Sequence, residues 1–471
     1  MKNERWLRKL IALGVGTACS KLAVFLLMPL YTSALSPAEF GTVDILVSTA
    51  VLLLPLCTLY APESVFRFCV GGEEEGRVLA VGRWLLRRGS VMLPVALSLL
   101  CAFDVLRPFW LHLLLYVTAA TLQSYASHIL RARGQYGFFA VQQIFCTLLT
   151  AMLAFLFLSV WHLGIGGYLA AVYVADAITA TVLQLYLHPT ATKACDPILR
   201  RKMLRYGLPL VPTATLWWVI SALDRYVLLG FHGRAAVGLY ATAYKLPALM
   251  STAAGIFLEV WHYAALRTKE EERTDAFSNA YRLFFTILLV LALGIILGGR
   301  ILQRGLTAAE FDGALRYLPF LTVAALFLSL SSFLGSVYAV QLRSGATLFT
   351  AALGAGVHAV GCFLLIPRLG AWGAVVATAL SYFAVFLRRA MDCRRTMPFP
   401  ICGGQMLLSV TALLAVSFLT VYGQITAAFL CAPLVVLPFW NEMLTILRFF
   451  GNCIKKFCEF VTKKRNILDK K

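Results

Sequence analysis

Residues 281–299 read YRLFFTILLVLALGIILGG, and after Arg282 no charged side chain appears until Arg300. A run of this length matches the roughly 20 residues an α-helix needs to cross a hydrocarbon layer about 30 Å thick. In lipid every backbone N–H and C=O must be satisfied inside its own segment. The even apolar character also lacks the alternation of an outer-membrane barrel strand, so the run is a transmembrane helix. Similar runs fill the chain on both sides. They give fourteen spans near 10–31, 43–64, 86–105, 109–130, 139–160, 165–187, 206–230, 237–263, 281–299, 315–341, 346–366, 371–390, 405–422 and 426–447.

Composition agrees: 60% hydrophobic residues, 14% charged residues and a mean hydropathy of +0.79 exclude a soluble globular chain, in which about one residue in four is charged. The net charge of +20 would suggest nucleic acid in a soluble protein. Here the basic residues sit beside span ends, where anionic inner-leaflet lipids attract them, so those lipids are expected partners and nucleic acid is not. Of the 42 Lys and Arg, 33 fall in the N-tail, in alternate loops and in the C-terminal tail, 6 fall in the opposite loops, and Lys21, Arg225 and Lys245 fall within spans or at their ends. The bias places both termini in the cytoplasm. The apolar stretch from Leu10 continues through Lys21 and Pro29 to Tyr31 without a small-x-small cleavage motif. It is therefore expected to be a retained first helix rather than a signal peptide. The twelve Cys are scattered, no C-x-x-C occurs, and Cys453 and Cys458 lack His partners. Neither a metal nor a cofactor is expected.

The chain resembles itself. Ala38-Glu39-Phe40-Gly41 returns as Ala235-Ala236-Val237-Gly238, Leu130-Arg131 as Leu342-Arg343, and Leu163-Gly164-x-x-Gly167 as Leu369-Gly370-x-x-Gly373, in the same order and about 200 residues apart. The first twelve spans thus form two six-helix halves, 1–200 and 201–395, followed by an added helix pair and basic tail, 396–471. With an even number of spans each, the halves are parallel repeats, an architecture that places substrate at the interface and works by rocking about it.

The opening Pro29-Leu30-Tyr31 with Leu35-Ser36-Pro37-x-Glu39-Phe40-Gly41 resembles the first loop of the polysaccharide-biosynthesis (Wzx-type) flippases of the multidrug/oligosaccharidyl-lipid/polysaccharide (MOP) exporter superfamily. Tyr206-Gly207-Leu208-Pro209, Asp224-Arg225, Val237-Gly238-Leu239-Tyr240 and Ala243-Tyr244-Lys245-Leu246 resemble their central signature, and Leu364-Leu365-Ile366-Pro367-x-Leu369-Gly370-x-x-Gly373 resembles their eleventh-to-twelfth hairpin. The chain departs from the pattern at His358, where an Asn is expected, and fourteen spans are also a feature of the lipid II flippase branch. The resemblance implies an all-α MATE-like bundle. It also implies movement of an undecaprenyl-pyrophosphate-linked oligosaccharide across a bacterial plasma membrane, with spans 1, 2, 7 and 8 around the central cavity.

A pyrophosphate head crossing lipid needs a hydrated cleft with cations. Lys21 lies about 16 Å into span 1, where a Lys costs about 2.5–3.5 kcal/mol unless it meets water, a carboxylate or a ligand. Lys245, about 12 Å into span 8, shares one helical face with Thr252 and Glu259 at spacings of seven and fourteen. Both lysines are expected to contact substrate. Arg67 closes span 2 and is spaced to pair with Glu63 one turn earlier, a structural pair competing with a ligand role. Arg225 directly follows Asp224, so the two are expected to diverge on the helix, which favours an interface or gate role for Arg225. Asp176 in span 6, Glu259 in span 8 and His358 in span 11 are candidates for coupling to protons or sodium ions, against the alternatives of a protonated or hydrogen-bonded Asp and a core His.

No P-loop, H-E-x-x-H or nucleophile elbow occurs, and no long hydrophilic loop carries paired carboxylates, so the chain is not expected to be an enzyme. Three alternatives compete with the oligosaccharide flippase. A lipid II-type flippase is one. A cation-coupled multidrug exporter would want a carboxylate-rich cavity, and a membrane glycan polymerase would want a large outer loop.

Overall fold

The computed structural model describes residues 25–100, 104–188, 195–267, 271–341, 343–397, 401, 403–445 and 448. These residues form sixteen α-helices and, among them, no strand. The helices are α1 (Met28–Ala34), α2 (Pro37–Thr58), α3 (Ala61–Val70), α4 (Glu75–Leu100), α5 (Trp110–Ala132), α6 (Tyr136–Ala154), α7 (Gly164–Leu187) and α8 (Pro197–Gly207), then α9 (Leu210–Lys245), α10 (Ala248–Arg267), α11 (Arg273–Leu306), α12 (Leu318–Val340), α13 (Ser344–Leu369), α14 (Ala371–Thr396), α15 (Gly404–Val421) and α16 (Ile425–Val436). Ten candidate spans are long and apolar enough to cross a membrane. The all-α polytopic architecture read from the sequence is the one observed.

Three expected features differ, each for a local reason. Span 2 is two helices, α2 and α3, parted where Leu59 and Tyr60 take positive φ of 50° and 56°; Pro62 has no N–H to offer the carbonyl of Thr58, and its ring crowds that carbonyl. Span 8 breaks at Leu246-Pro247 for the same reason, so Lys245 ends α9 and Thr252 belongs to α10. The stripe Lys245–Thr252–Glu259 is therefore not carried by a continuous helix. Finally, the expected loop at 188–205 contains α8. Asp196 caps this helix by accepting from the N–H groups of Ile198 at 2.8 Å and Leu199 at 3.3 Å, and Pro197 sits at its first turn, where the missing N–H costs nothing.

The chain groups into two compact units. One takes in the chain up to Lys245, Ile301–Tyr317 and Ser344–Val385; the other takes in Leu246–Arg300, Leu318–Arg343 and the chain from Phe386 onward. In the first unit α2 crosses α9 with backbone against backbone. A Cβ on Gly238 would lie 1.8 Å from the Pro37 carbonyl oxygen, and one on Gly41 would lie 2.2 Å from that of Arg234. These are the two glycines of the first internal match, so the repeated motif packs against its own copy, as small residues do where membrane helices approach closely. The third match also has a backbone cause: Gly164 and Gly370 open α7 and α14 with φ of +56° and +57°, a conformation glycine adopts without strain.

The apolar core of this unit has two parts. Val65, Val78, Leu79, Val81, Leu85, Ile129, Leu130, Leu183 and Met203 join α3, α4, α5, α7 and α8. Tyr31, Phe40, Val43, Leu158, Ala171, Ala241 and Phe311 join α1, α2, α7 and α9. Gln142 accepts from Ser127 Oγ at 3.3 Å, linking α6 to α5. Around the start of α4, Glu73 pairs with Lys202 of α8 at 3.2 Å, Glu75 with Arg133 at 2.6 Å, and Arg77 with Asp196. Arg77 and the two cap N–H groups hold the Asp196 carboxyl below the usual carboxylate range. Each exposed pair contributes little alone, because water and salt screen it.

In the second unit, Phe257, Trp261, Phe277, Tyr281 and Phe284 of α10 and α11 gather around Phe333 of α12, with ring centroids 5.3–6.4 Å from it. Asp392 of α14 accepts from Tyr338 at 3.0 Å and from Arg388 at 2.5 Å.

Candidate functional site

Within the first unit, α2, α9, α13 and α14 bring together a buried polar cluster. Gly233, at φ +79°, breaks α9 into two arms. Asp224 and Arg225 stand on the first arm, and Tyr240, Tyr244 and Lys245 on the second. The arms are tied by Tyr240, whose hydroxyl donates to Asp224 Oδ2 at 2.5 Å. Thr378 of α14 donates to the same oxygen at 3.3 Å, and one turn further along α14 Tyr382 shares a hydrogen bond with Tyr244 at 3.3 Å. Arg225 donates Nε to Asp44 Oδ2 of α2 at 2.6 Å and Nη1 to Asp224 Oδ1 at 3.1 Å and to the Ser221 carbonyl. Its guanidinium stacks 5.7 Å from the Tyr240 ring centroid and 5.5 Å from that of Tyr244. Beside it the α2–α9 contact is zipped by Thr49 to Tyr226 at 2.7 Å and Trp218 to the Ser48 carbonyl at 2.7 Å.

Lys245 completes the cluster. Its Nζ lies 3.9 Å from Asp44 Oδ1 and 5.6 Å from the centre of the Phe40 ring. The four charges sum to zero, but they are not equally enclosed: side-chain exposure is 2% for Asp224, 9% for Arg225, 14% for Asp44 and 40% for Lys245. Arg225 is a buried strut: its Nε and Nη1 already have acceptors, and the Tyr240 and Tyr244 rings flank its guanidinium. Lys245 keeps a loose partner and an open side. It stands twelve residues beyond Gly233, at the end of α9 and next to the Leu246-Pro247 break.

Asp224 holds the core of this network, with Arg225, Tyr240 and Thr378 all on its two oxygens. Asp224→Asn is expected to lower stability by about 2 kcal/mol, the scale of hydrogen bonds to a charged group, read as an earlier thermal unfolding of the purified protein. Unfolding indistinguishable from the parent would show that Asp44 alone suffices to hold Arg225.

The profile of the polysaccharide biosynthesis protein family matches residues 6–261, more than half of the chain. The chain belongs to this family. No curated protein matches this family member in sequence. Among solved structures its fold is similar to the lipid II flippase MurJ in an inward closed conformation, with a TM-score of 0.71 and 13% identity over 94% of this chain and 99% of that one. It is also similar to an inward-facing multidrug resistance MATE family transporter of the MOP superfamily, with a TM-score of 0.66 and 15% identity over 84% and 96%. A MOP superfamily transporter from Pyrococcus furiosus follows the same fold, with a TM-score of 0.58 and 15% identity over 82% and 95%. At these identities the likeness is one of fold. The family member is thus a multi-pass membrane protein with the architecture of MOP transporters.

Of the residues singled out from sequence, the structure brings Arg225 and Lys245 into one cluster with Asp44. Asp224 and Arg225 do not diverge: the long Arg side chain curls back so that Nη1 reaches the preceding carboxylate, while Asp224 Oδ1 also accepts from the Arg225 N–H at 2.9 Å. His358 of α13 is fully buried, 3.5 Å from Cys362 Sγ, and lies within electrostatic reach of Asp224. Asp176 of α7 sits apart from the cluster and accepts from Cys146 Sγ at 3.4 Å; Tyr116 lies within its reach, and Tyr168 within reach of both Tyr116 and Asp44. Arg67 is exposed on α3, and among the described residues no ion pair joins it to Glu63, so the expected i,i+4 pair does not form. Lys21 and the Glu259 side chain lie outside the described residues.

Asp44 was not singled out from sequence. Its signal is a lone carboxylate in the apolar run of α2, one turn after Phe40 and on the same face. In a span, such a residue marks a partner on a neighbouring helix.

Proposed function

We propose that this family member is a flippase, moving an undecaprenyl-pyrophosphate-linked oligosaccharide from the cytoplasmic to the outer leaflet of a bacterial plasma membrane. The observation that carries the reading is Lys245, a cation left 40% exposed beside an otherwise closed ion network. A pyrophosphate brings two or more negative charges into a site of low dielectric, where each nearby cation attracts far more strongly than in water. Lys245 serves as the direct contact, joined by Lys21 from span 1, while Arg225 positions Asp44 and the second arm of α9. An organic cation would meet an unfavourable charge at Lys245, which disfavours the multidrug reading. Lobes 1–200 and 201–395 rock about the site, and Asp176, Glu259 and His358 are the groups through which a proton or sodium gradient drives the cycle. The chain acts as a transporter without covalent chemistry of its own.

In cells depleted of the protein, the lipid-linked oligosaccharide is expected to accumulate in a form that a membrane-impermeant sugar-modifying reagent cannot reach until the membrane is permeabilised. Accumulation in a freely reachable form would instead place the block after translocation.

Topology gives a separate prediction. With both termini cytoplasmic, single cysteines near 33–38 and 303–312 should react with an impermeant thiol reagent from outside, and those near 194–200 and 268–275 only from inside. Inside labelling at Ser36 would reverse the orientation drawn from the Lys and Arg bias.

A further inference from the structure

Asp44 is a carboxylate shared by two cations, and it treats them differently. Oδ2 is fixed by Arg225 Nε at 2.6 Å, within a strut that Asp224 and the Ser221 carbonyl also hold. Oδ1 faces Lys245 at 3.9 Å, the outer limit of an ion pair and beyond hydrogen-bond length. Arg225 therefore presents to Lys245 a single anionic oxygen that cannot follow the lysine if the lysine moves. Lys245 has the flexible stem and the open side, and the Phe40 ring beneath it offers a second, non-ionic resting contact.

We propose that Asp44 is a built-in counter-anion that occupies Lys245 in the empty transporter and sets which headgroups can displace it. The inference rests on the reading of Lys245 as a substrate contact. A singly charged phosphodiester, the headgroup of the phospholipids that surround the protein, gains little from Lys245, because it must replace an equal charge already in place. A pyrophosphate offers a larger charge and several oxygens, and outcompetes the fixed carboxylate. Specificity then comes from a repulsive element as much as from an attractive one. The carboxylate also favours release, since Lys245 has a partner to return to when the head leaves.

The test measures binding of undecaprenyl pyrophosphate and of phosphatidylglycerol to the full-length protein in detergent. Asp44→Asn should bind phosphatidylglycerol about tenfold more tightly, equivalent to about 1.4 kcal/mol, and the preference for undecaprenyl pyrophosphate should shrink. Combining it with Lys245→Gln should remove the gain, because the gain is the freed lysine. Asp44→Glu, whose longer side chain brings the carboxylate toward Lys245, should shift both affinities the opposite way, and this variant carries the test if Asp44→Asn does not fold. Affinities within twofold of the parent in Asp44→Asn, a gain that persists with Lys245→Gln, or tighter binding in Asp44→Glu would each overturn the counter-anion. If Lys245→Gln alone leaves undecaprenyl pyrophosphate binding unchanged, the substrate-contact reading falls with it; if that variant weakens binding while Asp44→Asn does nothing, only the role of Asp44 falls.

Discussion

Gly238→Leu is expected to abolish accumulation of folded protein, and Gly238→Ala to reduce it to a small fraction of the parent. Even one methyl group at this position would lie 1.8 Å from the Pro37 carbonyl oxygen and 3.1 Å from the Gly41 nitrogen. These are backbone atoms of α2, so no rotamer change makes room, and the two helices must part along their whole contact. Overpacking that side chains absorb costs about 1–3 kcal/mol. Here the backbone must absorb it, and the loss also pulls Asp44 from Arg225 and Thr49 from Tyr226. Gly230→Ala on the same helix is the control, since a Cβ there meets nothing within 4 Å. Fluorescence-detected size exclusion of tagged protein from equal amounts of membrane reads both. A Gly238→Ala variant as abundant and monodisperse as Gly230→Ala would show that α2 and α9 do not cross at the repeated glycines.

Lys245→Ala should remove transport while leaving the protein in the membrane at the parental level. The two effects separate because Lys245 is 40% exposed and Asp44 keeps its 2.6 Å bond to Arg225 when the lysine is lost, so neither carboxylate is left without a cation. Removing a partner from a buried pair is costly mainly through the charge left behind, and here Arg225 still offsets part of that charge. Lys245→Arg should retain part of the rate, since the charge remains but its shape changes. Lys21→Ala is expected to act in the same way. Transport per molecule at the parental rate in both alanine variants would remove the cationic contact from the account; a fall in protein level with unchanged rate per molecule would make Lys245 a structural residue.

Much of the fold is legible because membrane helices advertise themselves by hydropathy, and the glycine-bearing repeats by spacing. Gly41 and Gly238 could be matched as equivalent positions from sequence, and the structure adds that they touch. The breaks at Leu59-Tyr60 and Leu246-Pro247 were less legible. Hydropathy averaged over a span runs across a proline, although Pro62 and Pro247 each removed a backbone donor at the break. α8 resembles a loop in hydropathy because four basic residues mask its apolar face, Leu199 and Met203. Within the site, Lys245 and Arg225 stood out as charges in apolar surroundings. Asp44 did not, because the identity of its partner depends on which helix packs against α2, and no spacing within one helix encodes that. Arg225 and Asp224 show the limit of helical-wheel reasoning for long side chains: adjacent positions diverge at Cβ, but a guanidinium reaches back across the difference.

Transport of a pyrophosphate-linked glycan lipid across the bilayer is what we propose for this protein. The direct measurement is leaflet exchange in proteoliposomes holding a defined undecaprenyl-pyrophosphate oligosaccharide, with the outward-facing pool read by an impermeant sugar-modifying reagent and the membrane gradient imposed or collapsed. Protein-dependent exchange that Lys245→Ala abolishes, and that exceeds exchange of a zwitterionic phospholipid, is the result expected. Exchange no faster than in protein-free liposomes, under proton and sodium gradients of either direction, would contradict it.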